Sequence, residues 1–229
     1  LLLTALLCVP TLASAQIFKE VSKQANVQGE SESIGDGMGG GVSWFDANQD
    51  GLLDLLITPA VSPPVLYLQN KTGTAFYELE DAIIPDTPPA SANGHLVFDI
   101  ENDGDMDVLL FREDENVLFR NDGGTFKDVS AEQLPGQGLW GVSGSVGDFD
   151  GDGDDDVYIA NYISGVNFPK HQCTPNTLLE NDGNGTFKDR AVDFGLVKAG
   201  CSLVTLFTDY DNDGDLDMMA INDFGHFVV

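Results

Sequence analysis

The sequence predicts an all-β protein built from repeated antiparallel sheets, and three observations lead to this prediction. Glycine is abundant, at 26 of 229 residues. Apolar residues come in short runs that Gly, Asn and Asp interrupt, a pattern typical of strands joined by turns. A nine-residue acidic pattern recurs four times, and every copy lies between two such runs. A fixed period of this kind is the sequence signature of a repeat architecture.

The charge balance excludes several classes of partner. The chain has 38 Asp and Glu against 10 Lys and Arg, which gives a formal net charge of -28. Nucleic-acid backbones and anionic membrane surfaces attract clustered positive charge, so neither is expected to bind. A hydrophobic content of 42% and an aromatic content of 9% are high enough for a packed core, unlike the composition of acidic disordered chains.

The first fifteen residues are predicted to be a signal peptide whose basic segment is missing. Residues 1–12 are apolar, and Ala13, Ser14 and Ala15 form a small-residue cleavage site that makes Gln16 the first mature residue. Pro10 interrupts the apolar stretch, which is too short to span a bilayer. We therefore expect a secreted, periplasmic or cell-surface protein with no membrane insertion of the mature chain. Residues 16–229 are expected to be an incomplete repeat domain, because the sequence stops within an apolar run.

The acidic repeats occupy residues 46–54, 99–107, 148–156 and 209–217. Each repeat has a short apolar segment before it, at residues 41–45, 96–98, 142–146 and 203–207. Each leads directly into a β-prone segment, at residues 55–58, 108–111, 157–160 and 218–221. The local prediction is therefore strand, acidic loop, strand.

A second pair of strands is predicted after each of the first three loops. These pairs lie at residues 66–70 and 76–78, 116–121 and 124–128, and 176–181 and 185–189. Each repeat would then be a four-stranded meander, which cannot bury both of its faces alone. Packing such sheets radially around an axis gives a β-propeller, of which this chain would hold about four blades. Residues 17–21 resemble the fourth-strand pattern of residues 126–129 and could close the ring.

The acidic loops have the spacing of a calcium site. Positions 1, 3, 5 and 9 carry side-chain oxygens in all four copies, position 6 is always Gly, and position 7 offers at least its carbonyl. A hard cation with a pliable oxygen shell fits this spacing, whereas zinc prefers His or Cys and magnesium a stricter octahedron. The predicted ligands are Asp46, Asn48, Asp50, Leu52, Asp54, Asp99, Glu101, Asp103, Asp105, Asp107, Asp148, Asp150, Asp152, Asp154, Asp156, Asp209, Asp211, Asp213, Asp215 and Asp217.

Two alternatives to this interpretation of the loops are an EF-hand and a solvated acidic turn. An EF-hand requires Glu at position 12 and a helix after the loop. Position 12 is apolar in every copy, and strands are predicted to follow: Ile57, Leu110, Ile159 and Ala220. A turn that binds nothing would not need four copies that agree position by position. Half of the acidic residues lie within these loops, where they would repel one another without a cation.

The repeats resemble the FG-GAP or VCBS repeats of integrin-α-like β-propellers. Residues 147–154, the Asn and Gly-Thr-Phe pattern of residues 176–189 and the opening residues 18–21 are similar to secreted cartilage acidic protein-like proteins, which carry an ASPIC/UnbV segment. The resemblance implies a propeller of about seven blades. It also implies calcium bound by side chains at positions 1, 3, 5 and 9 and by the carbonyl at position 7. Glu101 departs from the usual Asp or Asn at position 3, which implies a looser site.

The meander geometry also bears on the cysteines. Connections alternate between the two faces of the disc, so the acidic loops share one face, and the connections between second and third strands share the other. An insertion between residues 156 and 176 contains Asn161, Tyr162, Phe168, Lys170, His171 and Cys173. Cys201 follows in the next connection on that face, so a Cys173–Cys201 disulfide is predicted, with two unpaired buried thiols as the alternative.

The predicted function is binding by a secreted or cell-surface module whose calcium ions are structural, with an extracellular protein or glycan as the partner. The alternatives are a lyase or hydrolase built on the propeller and an architectural adhesin. No catalytic motif supports an enzyme. The glycines of residues 35–40 precede a strand rather than open a helix, so they are not expected to bind a dinucleotide. Trp44 and Trp140 are expected to pack between blades rather than to bind a ligand.

Overall fold

The computed structural model describes residues 21–27, 40–59, 62–79, 92–135, 138–164 and 172–223. The predicted signal peptide and most of the opening strand at residues 17–21 lie outside these ranges, as do Phe168, Lys170 and His171. Within the described ranges, no helix has the length and apolar character needed to cross a membrane.

Three four-stranded antiparallel sheets form most of the described fold, and all are meanders in the order of their main strands. The first contains β1 (Gly41–Phe45), β2 (Asp54–Thr58), β3 (Val65–Gln69) and β4 (Phe76–Glu78). The second contains β5 (Gly94–Phe98), β6 (Asp107–Phe111), β7 (Val117–Asn121) and β8 (Phe126–Asp128). The third contains β9 (Gly141–Gly147), β10 (Asp156–Asn161), β13 (Thr177–Asn181) and β14 (Phe187–Asp189). Each acidic loop therefore joins the first strand of a sheet to the second.

Two smaller hairpins complete the described strands. The insertion between β10 and β13 forms a hairpin of β11 (Ile163–Ser164) and β12 (Gln172–Cys173). The fourth acidic loop joins β15 (Ser202–Thr208) to β16 (Asp217–Asn222). The strand, loop, strand prediction is therefore confirmed for all four repeats, and the four-stranded meander for the first three.

The sheets stack face to face, which explains why their second strands are apolar on both sides. Along β6, Val108 and Leu110 pack against the first sheet, together with Leu56 and Leu66. Leu109 and Phe111 point the other way and pack with Val157 and Ile159 of the third sheet. Side chains alternate between the faces of a strand, so a strand between two sheets must be apolar at successive positions. Burial of each such side chain contributes about 2 kcal/mol.

The first strands of successive sheets lie next to one another, with β1 beside β5, β5 beside β9 and β9 beside β15. A third apolar cluster lies between the third sheet and the β15–β16 hairpin: Tyr158, Leu178, Ala191, Phe207 and Ala220. The arrangement is that of propeller blades stacked in sequence order.

Two short helices lie outside the described sheets, and each follows a valine. Helix α1 (Ser22–Ala25) follows Val21, and helix α2 (Ser130–Gln133) follows Val129 at the end of β8. The φ angles of the two valines are -131° and -119°. The segment that begins at Val21 thus starts with the conformation of the segment that follows β8. In addition, the Asn26 side-chain amide donates to the carbonyl of Phe76 in β4, 3.1 Å away.

Candidate metal centre

The acidic loops share one backbone conformation, which two positions set. Position 6 is a glycine with φ between +83° and +101° in every loop, a conformation that costs glycine little. Position 4 is also left-handed, although only one of its four residues is glycine: Gln49, Asn102, Gly151 and Asn212, with φ between +57° and +76°. Two left-handed residues so close together turn the chain sharply, so alternate side chains point into the loop.

The hydrogen bonds inside the loops gather the oxygens of positions 1 and 3. The N–H of Asp50 donates to Asp46 Oδ1 and to Asn48 Oδ1, both at 3.1 Å. The same pair of bonds measures 3.0 and 3.3 Å in residues 148–156, and 3.1 and 3.2 Å in residues 209–217. Position 5 accepts a bond of 2.9 to 3.1 Å from the N–H of position 7 in all four loops.

In two loops, three carboxylates converge closely enough to share one ion. One oxygen each from Asp148, Asp150 and Asp156 lies within 4.8 Å of the others. Asp209, Asp211 and Asp217 form the equivalent group in the fourth loop.

Residues 46–110 and 99–159 match the FG-GAP-like repeat family. Residues 46–159 therefore carry two FG-GAP-like repeats. No curated protein matches the sequence.

A solved lectin structure is also similar to this chain. It is described as the structural basis of specific recognition of non-reducing terminal N-acetylglucosamine by an Agrocybe aegerita lectin. The sequences are 18% identical, the TM-score is 0.49, and the match covers 84% of this chain and 52% of the lectin. The chain therefore spans about half the length of that lectin.

Position 9 of the acidic loops fixes the loop to the sheet. In each of the first three loops, one carboxylate oxygen accepts the N–H of position 2 at 2.8 to 3.0 Å, and the other accepts the N–H of the last residue in the third strand at 2.7 to 2.8 Å. These carboxylates are fully buried: Asp54, Asp107 and Asp156. In the fourth loop, Asp217 accepts the N–H of Tyr210 at 2.9 Å.

Burial also changes the acidity of the bracing carboxylates. Loss of solvation raises the pKa of Asp107 and of Asp156 to about 7, although the backbone N–H bonds of each oppose the increase. Nearby loop carboxylates raise both pKa values further. The pKa of Asp54 is raised in the same direction by burial. A divalent cation would favour the ionised forms, because it supplies the missing opposite charge.

The second loop differs from the others at position 3. Glu101 Oε1 lies 3.4 Å from Nε of Arg120, a residue of β7 that also pairs with Asp122. The N–H of Asp103 bonds to Asp99 Oδ1 at 3.1 Å, without the second bond to position 3 that the other loops make. Glu101 Oε2 is buried and has no hydrogen-bond partner among the described residues. The longer Glu101 side chain therefore reaches the guanidinium of Arg120 in β7 with one oxygen, and its other oxygen has no partner among the described residues.

The donor set of these loops fits a hard cation. The side chains of positions 1, 3, 5 and 9 offer only carboxylate or amide oxygens, with no His or Cys among them. Glu101 adds an orphaned buried oxygen, and the position 9 carboxylates carry raised pKa values from burial. Oxygen ligands of this kind are those that calcium prefers in proteins. The ions would be held by the predicted residues of the four loops.

Sequence reasoning missed two kinds of residue that connect neighbouring loops. Gln49 and Asn102, at position 4, donate side-chain hydrogen bonds to position 7 of the following loop. Asn121 and Asn181 lie at the ends of β7 and β13. Each donates a side-chain hydrogen bond to the position 2 carbonyl in the acidic loop of the previous repeat, at 3.0 and 2.9 Å. The recurrence of asparagine at the end of the third strand was the available signal for the second kind.

A cavity of about 620 Å³ opens between the first two loops. Its apolar lining includes Trp44, Leu53 and Met106, and its polar lining includes Asp46 and Gln49. Trp44 touches Phe76, with ring centroids 5.7 Å apart, but 55% of its surface is exposed. Phe45, the next residue in β1, packs toward the second sheet, so Trp44 lies on the opposite face of the first sheet, which no other described sheet covers. The packing of Trp44 between blades therefore stays a prediction.

On the other face, a disulfide joins Cys173 in β12 to Cys201, which precedes β15. It connects the insertion of the third repeat to the start of the fourth. Trp140 packs against Tyr162 at a centroid distance of 5.9 Å, and the Tyr162 hydroxyl donates to Asp223 at 2.8 Å. The insertion is thus fastened to the fourth repeat at two points. Asn161, at the start of the insertion, is fully buried and bonds to Pro175 and Thr177.

Proposed function

We propose that this protein is an extracellular, calcium-stabilised β-propeller module that binds a protein or a glycan. The observation that carries the proposal is the convergence of carboxylate oxygens from Asp148, Asp150 and Asp156 within 4.8 Å, repeated at Asp209, Asp211 and Asp217. The bound ion would supply the positive charge that these clustered carboxylates lack. Position 1, 3, 5 and 9 side chains would hold it, with the position 7 carbonyl. We infer calcium because the donors are all oxygens on a flexible loop.

A binding role is favoured over catalysis by how the loop carboxylates are used. Those of positions 1, 5 and 9 accept backbone N–H bonds, which shape the loop. A carboxylate held ionised by a cation is also a poor general acid. Ring closure by further blades, secretion and the ASPIC/UnbV relationship stay predictions. The Cys173–Cys201 disulfide supports an oxidising compartment, where FG-GAP repeats typically occur.

The cavity between the first two loops is the partner surface that we propose. The exposed side chains of Leu53 and Met106, with acidic groups at the rim, suit the apolar face of a sugar ring or of a protein side chain. Leu53→Ala should therefore weaken binding to a glycan array or an extracellular protein panel several-fold. Val42→Ala is the matched control, because Val42 is 64% exposed on the first sheet but does not line the cavity. Equal losses in both variants would argue against this surface.

Calorimetric titration of the chelator-treated protein with CaCl₂ and MgCl₂ tests the calcium sites. We expect calcium dissociation constants on the order of 10⁻⁴ to 10⁻³ M, with magnesium binding more weakly. Free calcium at about ten times the dissociation constant should stabilise the fold by about 1.4 kcal/mol per filled site. Asp150→Ala and Asp211→Ala should each weaken one site, whereas Asp114→Ala, on an exposed side chain, should weaken none. Identical melting curves in calcium and in chelator would refute the proposal.

A further inference from the structure

The position 4 side chains of the first two loops reach across to the next loop. The Gln49 amide donates to Asp105 Oδ1, and Asn102 Nδ2 donates to Asp154 Oδ1 at 2.6 Å. Asp105 and Asp154 both occupy position 7, where the expected metal ligand is the backbone carbonyl. The carboxylates at position 7 are therefore available to accept a hydrogen bond from the position 4 amide in the loop of the previous repeat.

The residues at positions 4 and 7 of the other loops agree with this hydrogen-bonding role. Position 7 of the first loop is Leu52, and no described acidic loop precedes it. Position 4 of the third loop is Gly151, which has no side chain to reach Asp215 in the fourth loop. The first three loops thus form a bridged series, and the fourth loop lacks the bridge to the third.

Position 7 is also tied to its own sheet. Asp105 Oδ2 accepts the N–H of Gly123 at 2.7 Å, and the Asp105 side chain is almost fully buried. Both of its oxygens are thus committed, one to the turn between β7 and β8 and one to Gln49 of the preceding loop. The position of its backbone carbonyl then depends on where the preceding loop holds its position 4 residue.

Position 4 is well placed to transmit the state of its loop. Gln49 and Asn102 both have φ of +57°, and each lies between the position 3 and position 5 ligands. A cation that draws positions 3 and 5 inward would fix the backbone of position 4 between them. The amide would then be held where it meets the carboxylate of the next loop.

We propose that Gln49 and Asn102 are positioning residues that couple neighbouring cation sites, so that filling one loop favours filling the next. The loops at residues 46–54, 99–107 and 148–156 form a coupled series, and the loop at residues 209–217 binds independently of them. The inference rests on the proposed calcium binding. Coupling between sites is reciprocal and typically changes affinity by about fivefold or more.

The variant Asn102→Gly tests the bridge without disturbing the loop. Glycine tolerates the left-handed conformation and already occupies position 4 of the third loop. Hydrogen exchange is followed by mass spectrometry during a calcium titration. For each loop, the midpoint is the calcium concentration at which half of the added protection is reached. We expect the midpoint for residues 148–156 to rise roughly fivefold, whereas the unfolding temperature in chelator should be unchanged. Asn102→Gln should restore the midpoint, because Gln performs this role at position 49.

Two controls separate coupling from general damage. Asn212→Gly removes the position 4 amide of the fourth loop, which donates to no other described loop, and should leave the first three midpoints unchanged. Gly151→Asn adds an amide that faces Asp215 and should lower the midpoint for residues 209–217. If the calcium midpoint for residues 209–217 in Gly151→Asn equals that of the unaltered protein, the position 4 amide is not the cause of the coupling.

The outcomes distinguish failure of the coupling from failure of calcium binding. If residues 148–156 titrate at the same calcium concentration in the unaltered protein and in Asn102→Gly, the coupling is overturned while calcium binding stands. If no loop of the unaltered protein gains protection with calcium, both proposals fall. A drop in the unfolding temperature of Asn102→Gly in chelator, without a midpoint shift, would assign Asn102 a purely structural role and also overturn the coupling.

Discussion

The carboxylate of Asp107 accepts the backbone N–H of Asn121 at 2.7 Å, and so fixes the end of β7 to the acidic loop of the same sheet. Its other oxygen accepts the N–H of Ile100 at 2.8 Å. The bracing carboxylate therefore holds three points of the repeat together: the loop entry, the start of β6 and the end of β7. This brace is present in the first three repeats.

Replacement of this brace should destabilise the protein even without metal. In Asp107→Asn, one acceptor oxygen becomes an amide donor that faces a backbone N–H, so a buried donor loses its partner. We expect a loss of about 1 to 3 kcal/mol in the free energy of unfolding, measured by urea denaturation in chelator. Asp114→Asn is the control, because its side chain is 69% exposed and should change stability by less than about 0.5 kcal/mol. Equal stability of the two variants would contradict the bracing role.

Much of the strand pattern could be predicted because each strand obeys a local rule. The apolar runs around the loops at residues 99–107 and 148–156 correspond to strands within one or two residues at each end. The left-handed glycine at position 6 follows from the loop sequence in the same way. These features depend on neighbours along the chain, so the sequence contains the necessary information. FG-GAP-like repeats at residues 46–159 support the resemblance on which the propeller prediction rested.

Contacts between repeats could not be predicted, since they depend on how far apart the sheets stack. Asn102 and Asp154 are 52 residues apart, and Asn181 and Ile100 are 81 apart. The pairing of Glu101 with Arg120 requires the register of β6 and β7, which composition does not give. The exposure of Trp44 likewise depends on what covers the first sheet. The sequence therefore identified the loop residues but not which of them brace, bridge or remain available to an ion.

The neutral ring of His95 should contribute a loss of stability in mild acid. This ring lies between the first two sheets, with Nδ1 3.0 Å from Thr58 Oγ1 and Nε2 2.8 Å from Ser43 Oγ. Burial lowers the pKa of His95 to about 4, so the unfolded chain binds a proton first. The stability that the neutral ring provides is complete above about pH 6.5 and is lost as the pH falls towards 4. The loss should be on the order of 2 to 3 kcal/mol.

Comparison with His95→Gln isolates this contribution, because every other titrating group is common to both proteins. The difference in unfolding free energy between the two proteins should be constant above pH 7. It should change in favour of the variant between pH 6.5 and 4. The raised pKa values of Asp107 and Asp156 act in the opposite direction, since protonation favours the folded state there, but they cancel in the difference. A difference that does not vary with pH would show that His95 is not held neutral.

Gly185 should be more sensitive to substitution than an open glycine with similar backbone angles. It has φ of +78°, and an added Cβ would lie 3.0 Å from Cδ1 of Ile100, a fully buried residue of the preceding loop. Gly185→Ala should cost about 2 to 4 kcal/mol, as backbone strain and overpacking add together. Gly73→Ala, with φ of +67° and open space around it, should cost only about 1 to 2 kcal/mol. Thermal unfolding of both variants measures the difference, and equal costs would mean that Ile100 moves aside freely.

Removal of the Cys173–Cys201 disulfide should loosen the connection between the third and fourth repeats. The bond closes a chain segment with a sequence separation of 28, for which loss of the cross-link costs about 3 to 4 kcal/mol in the chain-entropy treatment. The double variant Cys173→Ala with Cys201→Ala should show this loss in denaturant unfolding. Reduction of the unaltered protein should cause a similar loss but leave the stability of the variant unchanged. Because β15 follows Cys201 directly, hydrogen exchange should increase first in β15 and β16, while β1 to β8 keep their protection. Faster exchange spread evenly over all the sheets would instead show that the disulfide stabilises the whole stack.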